Sequence, residues 1–510
     1  MPLFSDGFEA TGACAAASTG GDRQVAAPQL IATLSNRFRE AWLGSPAVAD
    51  LDGDGVMEIL APRQNLMLGW HLDNQVVFEA SVSGRIWASP LVADFVPGSA
   101  GLEVAAASRE QILLWNSAGA LLPGFPVTWR DEIRSLAGGD IDGDGDLELV
   151  AVTTSRLSQN GQRDIVFAVH HDGTTVTGFP PNTTGAAGCD AACFVTGGFD
   201  QNIGLGNVDG DAELEIFAPH DNAYLSLHDG DGRAFDSSPI FSTPTKVLGV
   251  RFLHNLSEAM QGFANNEATA LQAHFTNSAP TFADVDGDGL NELVVLASVQ
   301  NAAQTNRELG VALWAVNPDG TRPGSWTTPF HVPEYLAGLV DFPGTNVVAA
   351  TNQVSVAELD ASRPGPEFVF AGFDGRIHAV DSAANLLWST RYTTDSRVLT
   401  GGVVIADLSS DGQPEVVFAT YSPDNNKGAL FVLDAGGQVA HTIALPDRGA
   451  MPVPTIAQAN TTEALEIVVS LKDAVDRERQ VLVYEVPGSA DNCLAWPTGR
   501  GNLLRNGSVN

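Results

Sequence analysis

Ser45-Pro-Ala-Val-Ala-Asp50-Leu-Asp52-Gly-Asp54-Gly-Val-Met-Glu58-Ile-Leu60 decides the fold, because the chain repeats it. Full copies follow at Gly139-Asp140-Ile-Asp142-Gly-Asp144-Gly-Asp146-Leu-Glu148 and Ala283-Asp284-Val-Asp286-Gly-Asp288-Gly-Leu290-Asn-Glu292. A variant runs Asn207-Val-Asp209-Gly-Asp211-Ala-Glu213-Leu-Glu215, and a weaker copy runs Asp407-Leu-Ser409-Ser-Asp411-Gly-Gln413-Pro-Glu415. Three more keep the flanking apolar runs but lose carboxylates: Val92-Ala-Asp94 through Glu103, Val356-Ala-Glu358 through Glu367, and Ile456-Ala-Gln458 through Glu466. The eight copies start 44, 46, 67, 77, 74, 49 and 51 residues apart.

Each acidic loop lies between two short β-rich runs, such as Ala47-Val-Ala49 and Ile59-Leu-Ala61. A third apolar run follows, then a tight turn such as Asp172-Gly173, Asp229-Gly230, Asp319-Gly320 or Asp374-Gly375. Asp-Gly between strands is a hairpin signal. The fourth strand is read as ending in Gly-Phe-Pro at Gly124-Phe125-Pro126 and Gly178-Phe179-Pro180. Four antiparallel strands at a period in the forties make a propeller blade. One blade cannot bury both its faces, so blades stack radially and the ring closes. The expected fold is an all-β propeller of eight blades, or seven if a terminal unit is split. Residues 1–30 are read as a tail and 31–510 as one domain. Insertions are expected at 181–202, 231–278 and 298–352, with a weakly helical stretch from Leu256 to Leu271.

The loops and their flanks, Val-Ala-Asp before and Glu-Ile/Leu-Val after, resemble the FG-GAP/VCBS repeats of bacterial extracellular proteins over roughly residues 45–505. Related repeats build the propeller of integrin α chains. The ending, Trp496-Pro-Thr-Gly-Arg500-Gly-Asn502 through Arg505-Asn-Gly507, resembles the last segment of such proteins. The resemblance implies a calcium-binding propeller, secreted or on a bacterial cell surface. It leaves the ligand open, because the family spans adhesins, carbohydrate-binding modules and rhamnogalacturonan lyases.

The loop chemistry points the same way. Calcium takes about 6–8 oxygen ligands. Carboxylates at loop positions one, three and five turn inward around one point, and glycines such as Gly53, Gly143, Gly210 and Gly287 let the backbone curl. The position-seven carbonyl (Val56, Asp146, Glu213, Leu290 or Gln413) adds a ligand, and the position-nine Glu closes the shell. An EF-hand wants its Glu at position twelve and flanking helices, so it is excluded. Magnesium prefers retained waters and strict octahedral geometry. Strong sites are expected at Asp50/Asp52/Asp54/Glu58, Asp140/Asp142/Asp144/Glu148, Asn207/Asp209/Asp211/Glu215 and Asp284/Asp286/Asp288/Glu292. A weaker one is Asp407/Ser409/Asp411/Glu415. That makes four or five calcium ions, with the copies at 94, 358 and 458 empty.

Formal net charge is −35 among 510 residues, with 44% apolar content. So acidic a surface repels phosphate backbones and anionic lipids, which argues against nucleic-acid or membrane-surface roles. No apolar run is long enough to span a bilayer. The start, MPLFSDGFEATG, lacks a basic n-region and an apolar h-region; of a cytoplasmic chain and a mature secreted one restarted with Met, the second is the reading favoured by the calcium loops and the cysteines. Four cysteines fit that compartment. A closed ring brings Cys14 near Cys493, and Cys189-Asp-Ala-Ala-Cys193 closes a small loop, which predicts two disulfides. The rival zinc site lacks any CxxC pair.

No nucleophile elbow, HExxH or P-loop is present. Only three lysines occur, Lys246, Lys427 and Lys472, so few can serve as a base. His170-His171 reads as part of a solvated hairpin turn and His378 as packing. The segments leading into several blades pair Arg with Trp or an acid: Arg39, Trp42, Arg85, Trp87, Arg130, Arg134, Arg397 and Arg448. Converging at one face, they would bind an acidic sugar or a peptide, or else serve as inter-blade salt bridges. Three functions stay open: a binding or adhesion module for a glycan or extracellular protein, a polysaccharide lyase resembling the rhamnogalacturonan lyases, and a structural subunit of a surface assembly.

Overall fold

The computed structural model describes residues 24–36, 39–129, 131–154, 165–180, 203–219, 224–232, 250–252, 272–274, 278–300, 310–319, 321–337, 352–475, 478–491 and 493–508. The chain is an eight-bladed β-propeller of antiparallel four-stranded blades. The innermost strands are Ala47–Ala49, Leu91–Ala93, Ile133–Gly139, Gly204–Gly206, Thr281–Ala283, Ser355–Ala357, Val404–Ala406 and Thr455–Ala457. Each neighbours the next, and the last neighbours the first, so the ring closes. In blade three the described part of the fourth strand is a single bridge, Val169 to Thr175.

Every acidic repeat falls between the first and second strands of one blade. The second strands, such as Glu58–Arg63 and Glu148–Thr153, are buried along their whole length. Both of their faces are covered by neighbouring blades, which is why they read as unbroken apolar runs rather than alternating ones. The outer strand Val76–Ser81 alternates toward solvent. Apolar clusters bridge adjacent blades: one joins Val92 and Leu113 to Ala47 and Met67, and another joins Val48 and Ile59 to Ala457 and Val468.

Two chain segments close the molecule. The strand Gln29–Leu34 is the outer strand of blade eight, antiparallel to Arg479–Glu485. It begins two residues inside the stretch read as tail. At the other end, Cys493 to Ser508 winds through the central channel. Main-chain N–H groups of Val92, Gly138, Leu205, Phe282, Ile405 and Ile456 donate to the carbonyls of Leu503, Leu504, Asn506, Gly507, Trp496 and Pro497. The segment thus bonds to the inner strands of six blades.

The expected insertion 181–202 and the helical stretch 256–271 lie outside the described residues. Within 298–352, Val311–Val316 and Phe330–Val332 are the two outer strands of blade five. Within 231–278, Val250–Phe252 is the fourth strand of blade four. Three of the four cysteines also lie outside, so the expected disulfides do too.

Gly-Phe-Pro does not end the fourth strand. In blade two it interrupts that strand, which resumes at Val127–Thr128. Gly124 sits at φ 91° against the Asp172-Gly173 turn of blade three, where a Cβ would overlap the Asp172 carbonyl oxygen. Gly178 meets Asp231 of blade four in the same way. Gly98 also has positive φ but open space around it. Gly98→Ala therefore carries only the backbone cost of about 1–2 kcal/mol, and Gly124→Ala is expected to cost clearly more. Equal melting temperatures for the two variants would refute the inter-blade contact.

Candidate functional site

In a meander blade, the connections between strands one and two leave one face, as do those between three and four. Connections between two and three, and the lead into the next blade, leave the other. The acidic loops and the turns at Asp172-Gly173, Asp229-Gly230 and Asp319 therefore share one face; Asp374-Gly375 does not follow a third strand as expected but joins the second and third strands of blade six, on the opposite face. The Arg/Trp lead-in segments share the opposite one.

On the acidic face, the second strand of all eight blades starts with a buried glutamate: Glu58, Glu103, Glu148, Glu215, Glu292, Glu367, Glu415 and Glu466. Each pairs in register with an Ala or Gly that ends the inner strand. Each accepts a hydrogen bond of 2.6–3.1 Å from the main chain just after that strand, at Leu51, Phe95, Ile141, Val208, Val285, Leu359, Leu408 or Ala459. One carboxylate oxygen thus clasps the loop whether or not the loop is rich in Asp.

The other oxygen distinguishes the blades. Donor atoms of Asp50, Asp52 and Glu58 lie within 4.8 Å of one another, and so do those of Asp209, Asp211 and Glu215, and of Asp284, Asp286 and Glu292. In blade three the triads are Asp140, Asp142 and Asp144, and Asp142, Glu148 and His170. These are the four loops expected to be strong. The loop from Asp407 forms no such triad among the described residues; there Ser409 Oγ donates to Asp407 at 3.3 Å and the buried Asp407 carboxylate accepts from Asp411 and Gly412. The position-five carboxylate accepts from the position-seven N–H in every acidic loop: Val56, Asp146, Glu213, Leu290 and Gln413. Gly53, Gly143, Gly210 and Gly287 all have positive φ, as the curl requires. Asn207 keeps the first Asp's role, accepting from Gly210 N–H at 2.7 Å.

Crowded, desolvated carboxylates hold protons. Burial, opposed by the main-chain bond and reinforced by neighbouring Asp charges, pushes Glu148 and Glu215 up to about 8 and Glu292 to about 7. Glu215 Oε1 is buried and has no hydrogen-bond partner among the described residues. An orphaned acceptor beside two aspartates fits a cation. In blades one and three a histidine fills that place: His71 Nε2 is 2.6 Å from Glu58 Oε1, and His170 Nδ1 is 3.1 Å from Glu148 Oε1. His170 is therefore part of the loop cluster, not only of a solvated turn. His378 is buried, stacked on Phe370 and paired with Asp374, as packing predicts.

On the opposite face, four lead-in residues converge, among the described residues three others stand apart or at the margin, and one lies outside the described residues. Trp42 and Trp87 lie 4.9 Å apart. The Arg85 guanidinium is 4.0 Å from the Trp42 ring centre and 4.6 Å from that of Trp87. Arg134 lies 4.2 Å from Trp87, and Lys472 Nζ 3.3 Å from Trp42. The result is a ladder, Lys472–Trp42–Arg85–Trp87–Arg134, that crosses blades eight, one, two and three. Carboxylates pin the indoles: Trp42 Nε1 donates to Glu40 at 3.1 Å and Trp87 Nε1 to Glu132 at 3.0 Å. Glu40 also sits 3.6 Å from both Arg85 and Arg448. Arg448 joins only at the margin, paired with Asp473. Arg397 stands apart in a forked pair with Asp424. Arg39 lends its carbonyl to the buried Arg63, and Arg130 lies outside the described residues.

Lys472 is 1% exposed. Burial lowers its ammonium to about 7 despite Glu40, and Nζ donates to the Ala41 carbonyl at 2.8 Å. Sequence reading did not find Asp473 here and did not count Glu40, Glu132 or Lys472 among the candidate ligand-binding residues. The acidic neighbours of the Arg/Trp pairs, visible in Arg39-Glu40-Ala-Trp42 and Glu132-Ile-Arg134, were the available signal.

No family model matches the chain, and no curated protein does. Solved structures do. The computationally designed Ika8 protein matches at TM-score 0.46 and 9% identity, over 90% of this chain and 100% of its own. The V. cholerae biofilm matrix protein Bap1 matches at 0.44 and 14%, over 93% and 94%. The quinohemoprotein alcohol dehydrogenase from Comamonas testosteroni matches at 0.47 and 10%, over 91% and 77%. At such identities the likeness carries no statement about activity.

Proposed function

We propose that this chain is an extracellular propeller of the FG-GAP/VCBS kind, stabilised by calcium, that binds a glycan or protein ligand through its lead-in face. The observation that carries this reading is the division of labour between faces. One presents oxygen-rich loops; the other presents a pinned array of guanidinium and indole groups. Asp50/Asp52/Glu58, Asp140/Asp142/Asp144/Glu148, Asp209/Asp211/Glu215 and Asp284/Asp286/Glu292 would hold the ions. Bound calcium would neutralise carboxylates that otherwise repel one another and pin each strand connection. The family resemblance, the secreted compartment and the pairings Cys14–Cys493 and Cys189–Cys193 belong to the same proposal.

A glycan and protein-ligand array probed with and without chelator tests it. Binding that survives ring-preserving substitutions in the acidic loops but is lost on changing the lead-in face is the expected result. Turnover of a pectic polysaccharide to unsaturated, ultraviolet-absorbing products would replace this reading by the lyase. No ligand on either face would leave a structural subunit.

A further inference from the structure

The ladder holds one group in an incomplete state. Arg85 is gripped by two rings, yet its buried Nε has no hydrogen-bond partner among the described residues. Its contact with Glu40, at 3.6 Å, is too long for a hydrogen bond. The side chain is still 33% exposed. A guanidinium carries five N–H donors in a flat fork, and leaving them unmade costs free energy. Two carboxylate-pinned indoles hold the guanidinium carbon 4.0 and 4.6 Å from their ring centres before anything binds. Cations already lie against both indoles, which favours recognition through guanidinium edges over stacking of a ligand on the rings.

Resting on the binding-module reading above, we propose that Arg85 anchors the carboxylate of a uronate-containing polysaccharide lying along the ladder from blade eight to blade three. A planar carboxylate matches the fork in bidentate fashion. A uronate also carries several hydroxyls per ring, and these suit the carboxylates of Glu40, Glu132 and Asp473 interspersed among the cations. An acidic peptide brings the same anionic charge without those ring hydroxyls to donate to the protein carboxylates. Nor could an extended peptide add to an inner strand. Val92 and Gly138 already bond to the C-terminal segment on one side, and their strands to the second strands on the other.

The test is calorimetric titration of the full chain with an oligogalacturonate, with the same oligomer after carboxyl reduction, and with polyglutamate. Wild type is expected to bind only the first. Arg85→Gln should weaken binding about 10- to 100-fold, the range for charge-assisted hydrogen bonds. Arg85→Lys keeps charge but loses the fork and should fall between. Arg397→Gln, on the same face and satisfied by Asp424, should change nothing. Melting curves check that each variant is folded. Equal binding of the reduced oligomer, preference for polyglutamate, unaltered binding by Arg85→Lys, or no uronate binding at all overturns the inference. If a neutral glycan or a protein binds this face instead, the binding-module reading stands while the uronate anchor falls.

Discussion

A chain shortened to end at Asn492 is expected not to accumulate as a folded protein, and Arg505→Met is expected to cost about 3 kcal/mol in the full chain. The reason is the C-terminal segment in the channel. Trp496 is fully buried there, against Val403, Ile405 and their neighbours from blades five to seven. Arg505 is 1% exposed. Its guanidinium donates to the carbonyls of Pro90, Gly499 and Pro46 at 3.0, 2.9 and 2.8 Å, and to Thr498 Oγ1 at 2.6 Å. Arg500 does the same for Pro280 and Ile203, at 2.5 and 2.6 Å. Burial lowers both arginines to about 9. Among the described residues only carbonyls and a hydroxyl compensate their charge, so each is a hub whose removal orphans acceptors in more than one part of the ring. Losing the whole segment strips six inner strands of a main-chain partner as well. That loss is comparable to the roughly 5–15 kcal/mol stability of an ordinary protein. Circular dichroism melts of the purified variants decide the matter: a truncated chain melting like wild type would show that the segment only fills space.

The sequence made the eight blades legible because each unit repeats its own strand–loop–strand signal. It did not make the closures legible. Gln29–Leu34 completes a sheet with residues some 450 positions away, and an outer strand of six residues carries no mark of its partner. The channel segment lacks any period, so its likeness to a family ending did not say that it would be buried. Its burial comes from donors meeting carbonyls, which binary patterning does not record. The position-nine glutamate was legible, but its clasp on the loop main chain was not. It was read as a metal ligand, yet Glu103, Glu367 and Glu466 persist in carboxylate-poor units. There they do the same clasping as Glu58 and Glu148, so the loop clasp is its general role, and holding a cation is the further role proposed for it in the acidic loops. The lead-in face was half legible: Arg and Trp were found, but which of them meet depends on how four blades are set around the ring.

Removing calcium is expected to lower the melting temperature by about 10 °C at pH 8 and far less near pH 5. The size follows from mass action. At a free ion concentration of about a hundred times Kd, each site adds about 2.7 kcal/mol. Four sites then give about 10 kcal/mol, and a chain this long loses about 1 °C per kcal/mol. The pH dependence follows from the glutamates. Without metal, the folded-state values of Glu148, Glu215 and Glu292 are raised to about 8, 8 and 7, against an ordinary 4.5. Between 4.5 and 8 the native chain therefore binds more protons than the unfolded one, and stability in chelator falls as pH rises through that window. Glu367 and Glu466, both near 7 in loops not expected to hold an ion, add to the same slope. Calcium must displace the loop protons, so its contribution grows as pH climbs through the same range. The two melting curves, with calcium and with chelator, should converge at the acid end and separate toward pH 8. Asp284→Asn, which removes one charge from a single loop, should narrow the separation by about a quarter without moving the curve measured in chelator downward. Parallel curves at every pH, or a chelator without effect, would mean that the acidic loops stand on their glutamate clasps alone.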